Sequence, residues 1–386
     1  MALNTKLLAW RWSKQGLDGS MAGKSPREVL LQCGWSRSVG GVSPYLAIHG
    51  RSGSSREAID KAVAELEIYE LPSARSCTYV LPQEHFALAL LMAQGGGEHA
   101  EIALLKRYLG VEQPDLDRLR EAVLSALEKG PLDPTEIKNE VGDKVRSFGE
   151  EGKKRGVSST LPPVLGWLQT TGFIRRLPVN GRLDQQRYKY VLWKPNPLEG
   201  LLFNREEALA RVAALFFQWI GPASLKEFQL FLGITGKLAK EAVAPLKLAS
   251  VDDLLILPNE ADSYASYEMP SKPSYRLLGR IDPILNLLSG IPSDISHPIF
   301  MGADIEKVNS NLIFNRGRVV GLWDYDPEAK EIVWATFSKS DSALKEEVEK
   351  MQAFVRDHLG DARTFSLDSP ESRKSRIKAL HAVDSR

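Results

Sequence analysis

Apolar positions along the first 260 or so residues recur mostly at helical spacing, with short strand-like runs between them. Leu3 to Lys14 reads as a helix, and Pro26 opens a second that ends at Cys33. A turn-rich stretch, Gly34 to Ser43, leads into a helix beginning at Pro44. Ser54-Ser55 start a further helix, with Ile59, Val63 and Leu66 on one face. Short strands follow, Tyr69 to Leu71 and Cys77 to Leu81, and then the helix of Phe86, Leu88, Leu90 and Leu91. After a hinge expected at Gly95-Gly96-Gly97, Asp115 to Lys129 is amphipathic and Asp133 caps a helix from Thr135 to Val141. Ser158-Ser159-Thr160 and Pro162-Pro163 supply start chemistry for the helix of Val164, Leu165, Trp167 and Leu168. Two strand-like runs come next, Phe173 to Arg176 and Arg187 to Val191, with Asn180-Gly181 as the hairpin signal between them.

The same order comes a third time. Asn204 to Trp219 is a long amphipathic helix, and Ser224 caps Leu225 to Leu232. A helix from Lys237 to Leu246 then precedes the strand Leu254 to Leu257. Only the element order repeats; no residue-level identity links the three stretches. A helix followed by a twisted hairpin is the second half of a winged helix-turn-helix, and that is the unit expected here. From Pro270 the texture changes, and Arg276 to Gly279, Asn311 to Phe314, Arg318 to Trp323 and Glu331 to Phe337 read as strands. Ser342 to Leu359 is a closing helix, and Asp368 to Arg386 is polar and expected to be disordered.

The expected class is therefore α+β. Three tandem winged-helix units (residues 1–93, 94–195 and 196–258) precede a C-terminal β-barrel-like domain (259–340), then a closing helix and disordered tail (341–386).

Composition narrows this picture only a little. A chain of 386 residues with 43% hydrophobic and 26% charged content is ordinary globular protein with room for more than one core. Cys33 and Cys77 lie in separate segments without metal-ligand spacing, which reads as reduced thiols in a cytosolic protein with no metal and no cofactor. No apolar run reaches membrane-spanning length, and the N-terminus lacks secretory features.

Charge changes it more. From Lys144 to Lys194 eleven basic residues face three acids, a local excess of eight in a chain of net +1. Such a field points to a polyanionic partner, because cations placed near phosphates release counterions. Lys153, Lys154, Arg155, Arg175, Arg176, Arg182, Arg187 and Lys189 are the expected DNA contacts in this stretch.

Several strings in order resemble the winged-helix DNA glycosylases of the AlkZ/YcaQ type. They are Leu17-Asp18-Gly19, Pro44-Tyr45-Leu46-Ala47 with Arg51, and the Arg75 to Pro82 strand leading into Gln83-Glu84. Gly221-Pro222-Ala223-Ser224, Asp282-Pro283 and Gly317 to Trp323 complete the set, which spans the chain to about Leu359. The resemblance implies the three-unit-plus-barrel architecture and a reaction in which alkylated bases are excised, or crosslinks unhooked, by hydrolysis of the N-glycosidic bond. It adds Arg51 and Arg75 to the expected DNA contacts. It also implies a monomer acting on double-stranded DNA in the cytoplasm, associated with the nucleoid.

One departure stands out. The family carries glutamine–hydrophobic–glutamine or glutamine–hydrophobic–aspartate just before the Pro-Tyr-Leu-Ala helix. Counted back without gaps, that motif falls on Arg37-Ser38-Val39, and the nearest glutamine is Gln32 on the preceding helix. A guanidinium can bind a phosphate but cannot act as a base. Arg37 and Ser38 are therefore candidates for phosphate or abasic-sugar binding and, with Asp282, the candidates for catalysis; Gly40-Gly41 complete a clasp or simply meet a turn's dihedral needs. His49, His85, Trp323 and Trp334 read as packing residues. Three functions stay open: a base-excision enzyme, a catalytically silent DNA-binding or regulatory protein, and an RNA- or protein-binding module.

Overall fold

The computed structural model describes residues 4–95, 98–184, 187–290, 309–337, 339–365 and 368–382. Gly96 and Gly97 of the expected hinge, and residues 383–386 of the expected tail, lie outside the described residues. The chain divides into two compact units. Unit one is Met1–Tyr69, Tyr79–Gln83 and Leu209–Arg386; unit two is Glu70–Thr78 and Glu84–Ala208. The expected boundaries at 258 and 340 thus fall inside unit one.

The chain begins with α1 (Thr5–Lys14), α2 (Pro26–Cys33), β1 (Ser36–Ser38), α3 (Ser43–Ser52), α4 (Arg56–Ala64), β2 (Ile68–Pro72) and β3 (Thr78–Pro82). Local chemistry sets these starts. Ser25 accepts from the backbone of Glu28 while Glu28 reaches back to Ser25, and Pro26 occupies the first turn. Ser55 caps α4 in the same way through Ala58 N–H. The strands pair in the order β1-β3-β2.

Unit two follows with α5 (Phe86–Gln94), α6 (Ala100–Leu109), α7 (Gln113–Leu127), α8 (Pro134–Val141), α9 (Gly149–Lys154), α10 (Leu161–Thr170), β4 (Ile174–Pro178) and β5 (Tyr188–Leu192). Asp133 and Glu136 form a reciprocal cap on α8. β4 and β5 are antiparallel with Arg176 opposite Tyr190, and Leu132 bridges to Tyr190 on the other edge. Leu116, Leu119 and Val123 from α7, Ile137 from α8, and Val164, Leu165 and Leu168 from α10 close the core of this unit under Ile174 and Tyr190.

Back in unit one come α11 (Arg205–Ile220), α12 (Leu225–Leu232), α13 (Gly236–Val243), β6 (Ala249–Val251), β7 (Leu254–Ile256) and α14 (Ala261–Ala265). Ser224 and Glu227 cap α12 reciprocally, and Ala223 bridges to Leu255. A helix, a short strand or single bridge, two or three helices and a hairpin therefore recur, the strand or bridge pairing with the hairpin's last strand each time.

The remainder holds β8 (Tyr275–Leu278), α15 (Pro283–Leu287), β9 (Asn311–Asn315), β10 (Arg318–Asp326), β11 (Glu331–Thr336), α16 (Ser342–Phe354) and α17 (Pro370–His381). Here two expectations are corrected. The β-rich segment is not a barrel: among the described residues it is a four-stranded antiparallel sheet in the order β11-β10-β9-β8, with β8 and β11 as its edges. Helices α16 and α17 pack against this sheet, so its apolar surface is covered without closure. The polar tail is not disordered either. Ser369 caps α17, Pro370 fills its first turn, and Ile377 and Leu380 are buried, which stabilises by roughly 1.5–3 kcal/mol each. Its charges have partners: Arg376 reaches Asp324 at 3.2 Å and Asp368 at 3.1 Å, and Arg373 meets Asp361 at 2.8 Å. Composition counted those charges without their partners. Trp323 and Trp334 are core residues as expected.

Candidate catalytic loop and nucleic-acid interface

In unit one the loop before α3 begins as β1, whose three residues alternate in exposure. Ser36 and Ser38 are fully buried, and Arg37, between them, is half-buried. The hydroxyls of Ser36 and Ser43 are buried without a hydrogen-bond partner among the described residues. Gly41 is dictated by packing: a Cβ there would lie 2.2 Å from the Thr364 carbonyl oxygen. Gly40 sits at a φ of 74°, where glycine is favoured. Val42 N–H donates to the Arg363 carbonyl at 3.0 Å, so the loop is pinned on both counts.

Two expected site residues lie beneath it, and neither is available. Arg51 was expected on DNA, yet its side chain has no exposed surface. All of its polar positions are spent internally: Nε donates to Gln15 O at 2.9 Å, and Nη1 to Ala47 O at 2.9 Å and Asp282 Oδ2 at 2.9 Å. Nη2 donates to Asp282 Oδ1 at 2.8 Å and Gln15 Oε1 at 3.3 Å. Burial works against the guanidinium charge, and the facing Asp282 carboxylate, helped by Cys33, more than offsets this, so the Arg51 pKa lies above its ordinary value. Asp282, the expected catalytic carboxylate, is 1% exposed and caps α15 through Ile284 N–H. This pair joins α3 to the turn before α15 and touches no solvent. Cys33 lies within the field of Arg51 and Asp282, and burial pushes its thiol up to about 11.

Gln32, the glutamine nearest the loop in sequence, is exposed on α2 and donates to the Lys14 carbonyl at 2.6 Å. The glutamine that matters structurally is Gln15, fully buried, which joins Arg51 to the Trp219 carbonyl at 2.9 Å. Following Ser13 and Lys14, it reads in the sequence as one more polar residue at a helix end, which gave no signal of its burial. His49 stacks on Phe354 with centroids 3.6 Å apart, and burial lowers its pKa.

In unit two the cations of the β4–β5 hairpin, the expected wing, separate into distinct environments. Arg176 is held over the Tyr188 ring at 4.5 Å; burial opposes its charge, and Tyr190, Tyr188 and Glu70 favour it. Arg182 forms a two-pronged pair with Asp184, with its Nε at 2.8 Å from Oδ1. Lys189 meets Glu136 of α8 at 3.0 Å. Arg187 is exposed, Arg175 is half-buried, and Arg75 is exposed at a φ of 56°. Lys153 pairs with Glu150 on α9, while Lys154 and Arg155 are exposed.

Among the described residues no group of three potential metal ligands occurs, and no helix is long and apolar enough to cross a membrane. No curated protein matches the sequence. The solved Streptomyces sahachiroi DNA glycosylase AlkZ matches with a TM-score of 0.70 over 94% of this chain and 98% of that chain, at 20% identity. At that identity the likeness is one of fold. A family model described as DNA glycosylase AlkZ-like matches residues 41–354, most of the chain, including α3, the β4–β5 and β6–β7 hairpins and the open sheet. This chain belongs to the AlkZ-like DNA glycosylase family.

Proposed function

We propose that the protein binds duplex DNA and acts on alkylated or crosslinked bases through N-glycosidic bond hydrolysis. Its three recurrences of helix, strand or bridge, two or three helices and hairpin are then three winged-helix units. The observation that carries the reading is the loop Ser36–Ser43: a guanidinium and two unpartnered buried hydroxyls at the start of α3, held rigid by Gly41 against Thr364 and by the Arg51–Asp282 pair below. Rigid donors aimed at developing charge stabilise a transition state without reorganisation.

A second reading rests on the same strand. Ser36, Arg37 and Ser38 carry no carboxylate or carboxamide, so no side chain of β1 can position water as a base. On that reading the protein recognises DNA and leaves the bond intact. Incubation with an N-methylpurine duplex followed by alkaline cleavage separates the two. Lesion-dependent strand opening supports the enzyme; lesion-dependent binding without opening supports the silent member. If opening occurs, Arg37→Ala is expected to impair it more than Gln32→Ala.

A further inference from the structure

The wing is not where unit two leaves most of its positive charge unbalanced. Arg107, Lys144, Arg146, Lys154 and Arg155 are all exposed, and among the described residues none of them pairs with a carboxylate. Contacts join them into one surface. Tyr108, 45% exposed at the end of α6, carries the Arg155 guanidinium 4.5 Å from its ring centroid and that of Arg107 at 5.2 Å. Arg146 lies 5.5 Å from the Phe148 ring and donates to the Gly110 carbonyl at 2.9 Å, one residue past α6. Lys144 and Arg146 line a cleft of about 450 Å³ together with Thr160 at the start of α10. Asp115 in that cleft is engaged by Arg118, and Asp143 is the lining carboxylate without a pair. Glu101 on α6, Glu112 before α7, and Glu150 (paired with Lys153) and Glu151 on α9 are the other exposed acids beside these cations.

We propose that this α6–α9 face, rather than the wing, is the main phosphodiester-docking surface of unit two. Guanidinium groups held on an aromatic ring lose less freedom when they fork a phosphate. Their nitrogens stay exposed and carry no carboxylate to displace, so each phosphate contact releases counterions in full. The inference rests on the duplex-binding reading above and names the surface that performs it.

The test is a salt series with a 20-base-pair duplex, comparing the full chain, a Lys144→Ala/Lys154→Ala/Arg155→Ala variant and an Arg182→Ala/Arg187→Ala/Lys189→Ala variant. The face variant is expected to flatten the slope of log K against log salt by roughly two to three units, and to weaken binding by roughly a hundredfold or more at 0.1 M. Lys144→Glu alone, at an exposed position, should steer in the same direction and guards against a folding defect. A face variant with unchanged slope beside a wing variant that loses it overturns this inference and leaves the duplex reading standing. A wild-type chain that ignores duplex overturns both, as does one that binds poly-glutamate more tightly than DNA.

Discussion

The wing and the α6–α9 face draw on similar cations, all but Arg107 from one basic stretch, yet their surroundings differ. On the wing, Arg182 is engaged by Asp184, Lys189 by Glu136, and Arg176 is sunk against Tyr188. On the face, Arg107 and Arg155 share the ring of Tyr108, and Arg146 has Phe148 and a backbone carbonyl, with no carboxylate in either group. An aromatic ring or a carbonyl orients a cation and leaves its charge available, whereas a carboxylate at about 3 Å cancels it towards any third party. Counting cations along a chain therefore overstates a binding surface wherever the fold supplies local acids.

Arg51 marks the extreme of that comparison, a cation wholly consumed inside the protein. Arg51→Ala is expected to destabilise by about 3–5 kcal/mol by leaving Asp282 buried and unpaired, while the salt slope of DNA binding stays the same. Urea titration and the salt series together check this. A variant of full stability and weakened DNA binding would restore Arg51 as a contact. Replacing both partners by apolar residues should recover much of the loss.

His85 sets the pH range in which the wing and the face can be compared. Burial depresses its pKa from 6.5 to about 4. The unfolded chain therefore binds more protons between these values, so stability is full above pH 6.5 and falls as pH drops towards 4. The loss approaches about 3 kcal/mol. Urea titrations from pH 7.5 to 4 should show a shallower fall for His85→Asn than for wild type, and parallel curves would remove this role.

The wing variant Arg182→Ala/Arg187→Ala/Lys189→Ala is expected to lower the salt slope by only about one unit, because two of its three charges are already paired. A drop of two to three units would return the wing to the main contact. Glu136→Gln gives the smallest and sharpest effect. Glutamine retains the reciprocal cap with Asp133, while Lys189 is freed, so the slope should steepen by up to about 0.9. No steepening would show that Lys189 faces away from the DNA.

Much of the architecture could be read from local chemistry. Ser224, Asp133 and the Asn180-Gly181 signal act within a few residues of themselves, so the starts of α12 and α8 and the β4–β5 hairpin lay open to inspection. Trp323 and His85 were legible as packing positions, whereas Gly41 read as a clasp or turn residue and is held instead by Thr364, more than three hundred residues away. The barrel was not decided locally: short, mostly apolar runs in β8 to β11 predict strands, but whether the outer two meet depends on what covers the sheet. Nor was the tail, because the partners that order α17 lie at Asp324, some fifty residues earlier in the chain, and at Asp361 and Asp368 just before it.

By itself, then, the sequence determined the order of elements, their caps and turns, the local excess of positive charge and the missing glutamine motif in the loop before α3. Each of these is a property of residue type at short range. Only the tertiary structure decided which charges remain available. Arg51 and Asp282 are more than two hundred residues apart and meet in the interior, and Lys189 meets Glu136 at the surface, while among the described residues Arg155 meets the ring of Tyr108 and no carboxylate. The sign of a charge is carried by the residue; its neutralisation is a matter of distances that the fold alone sets.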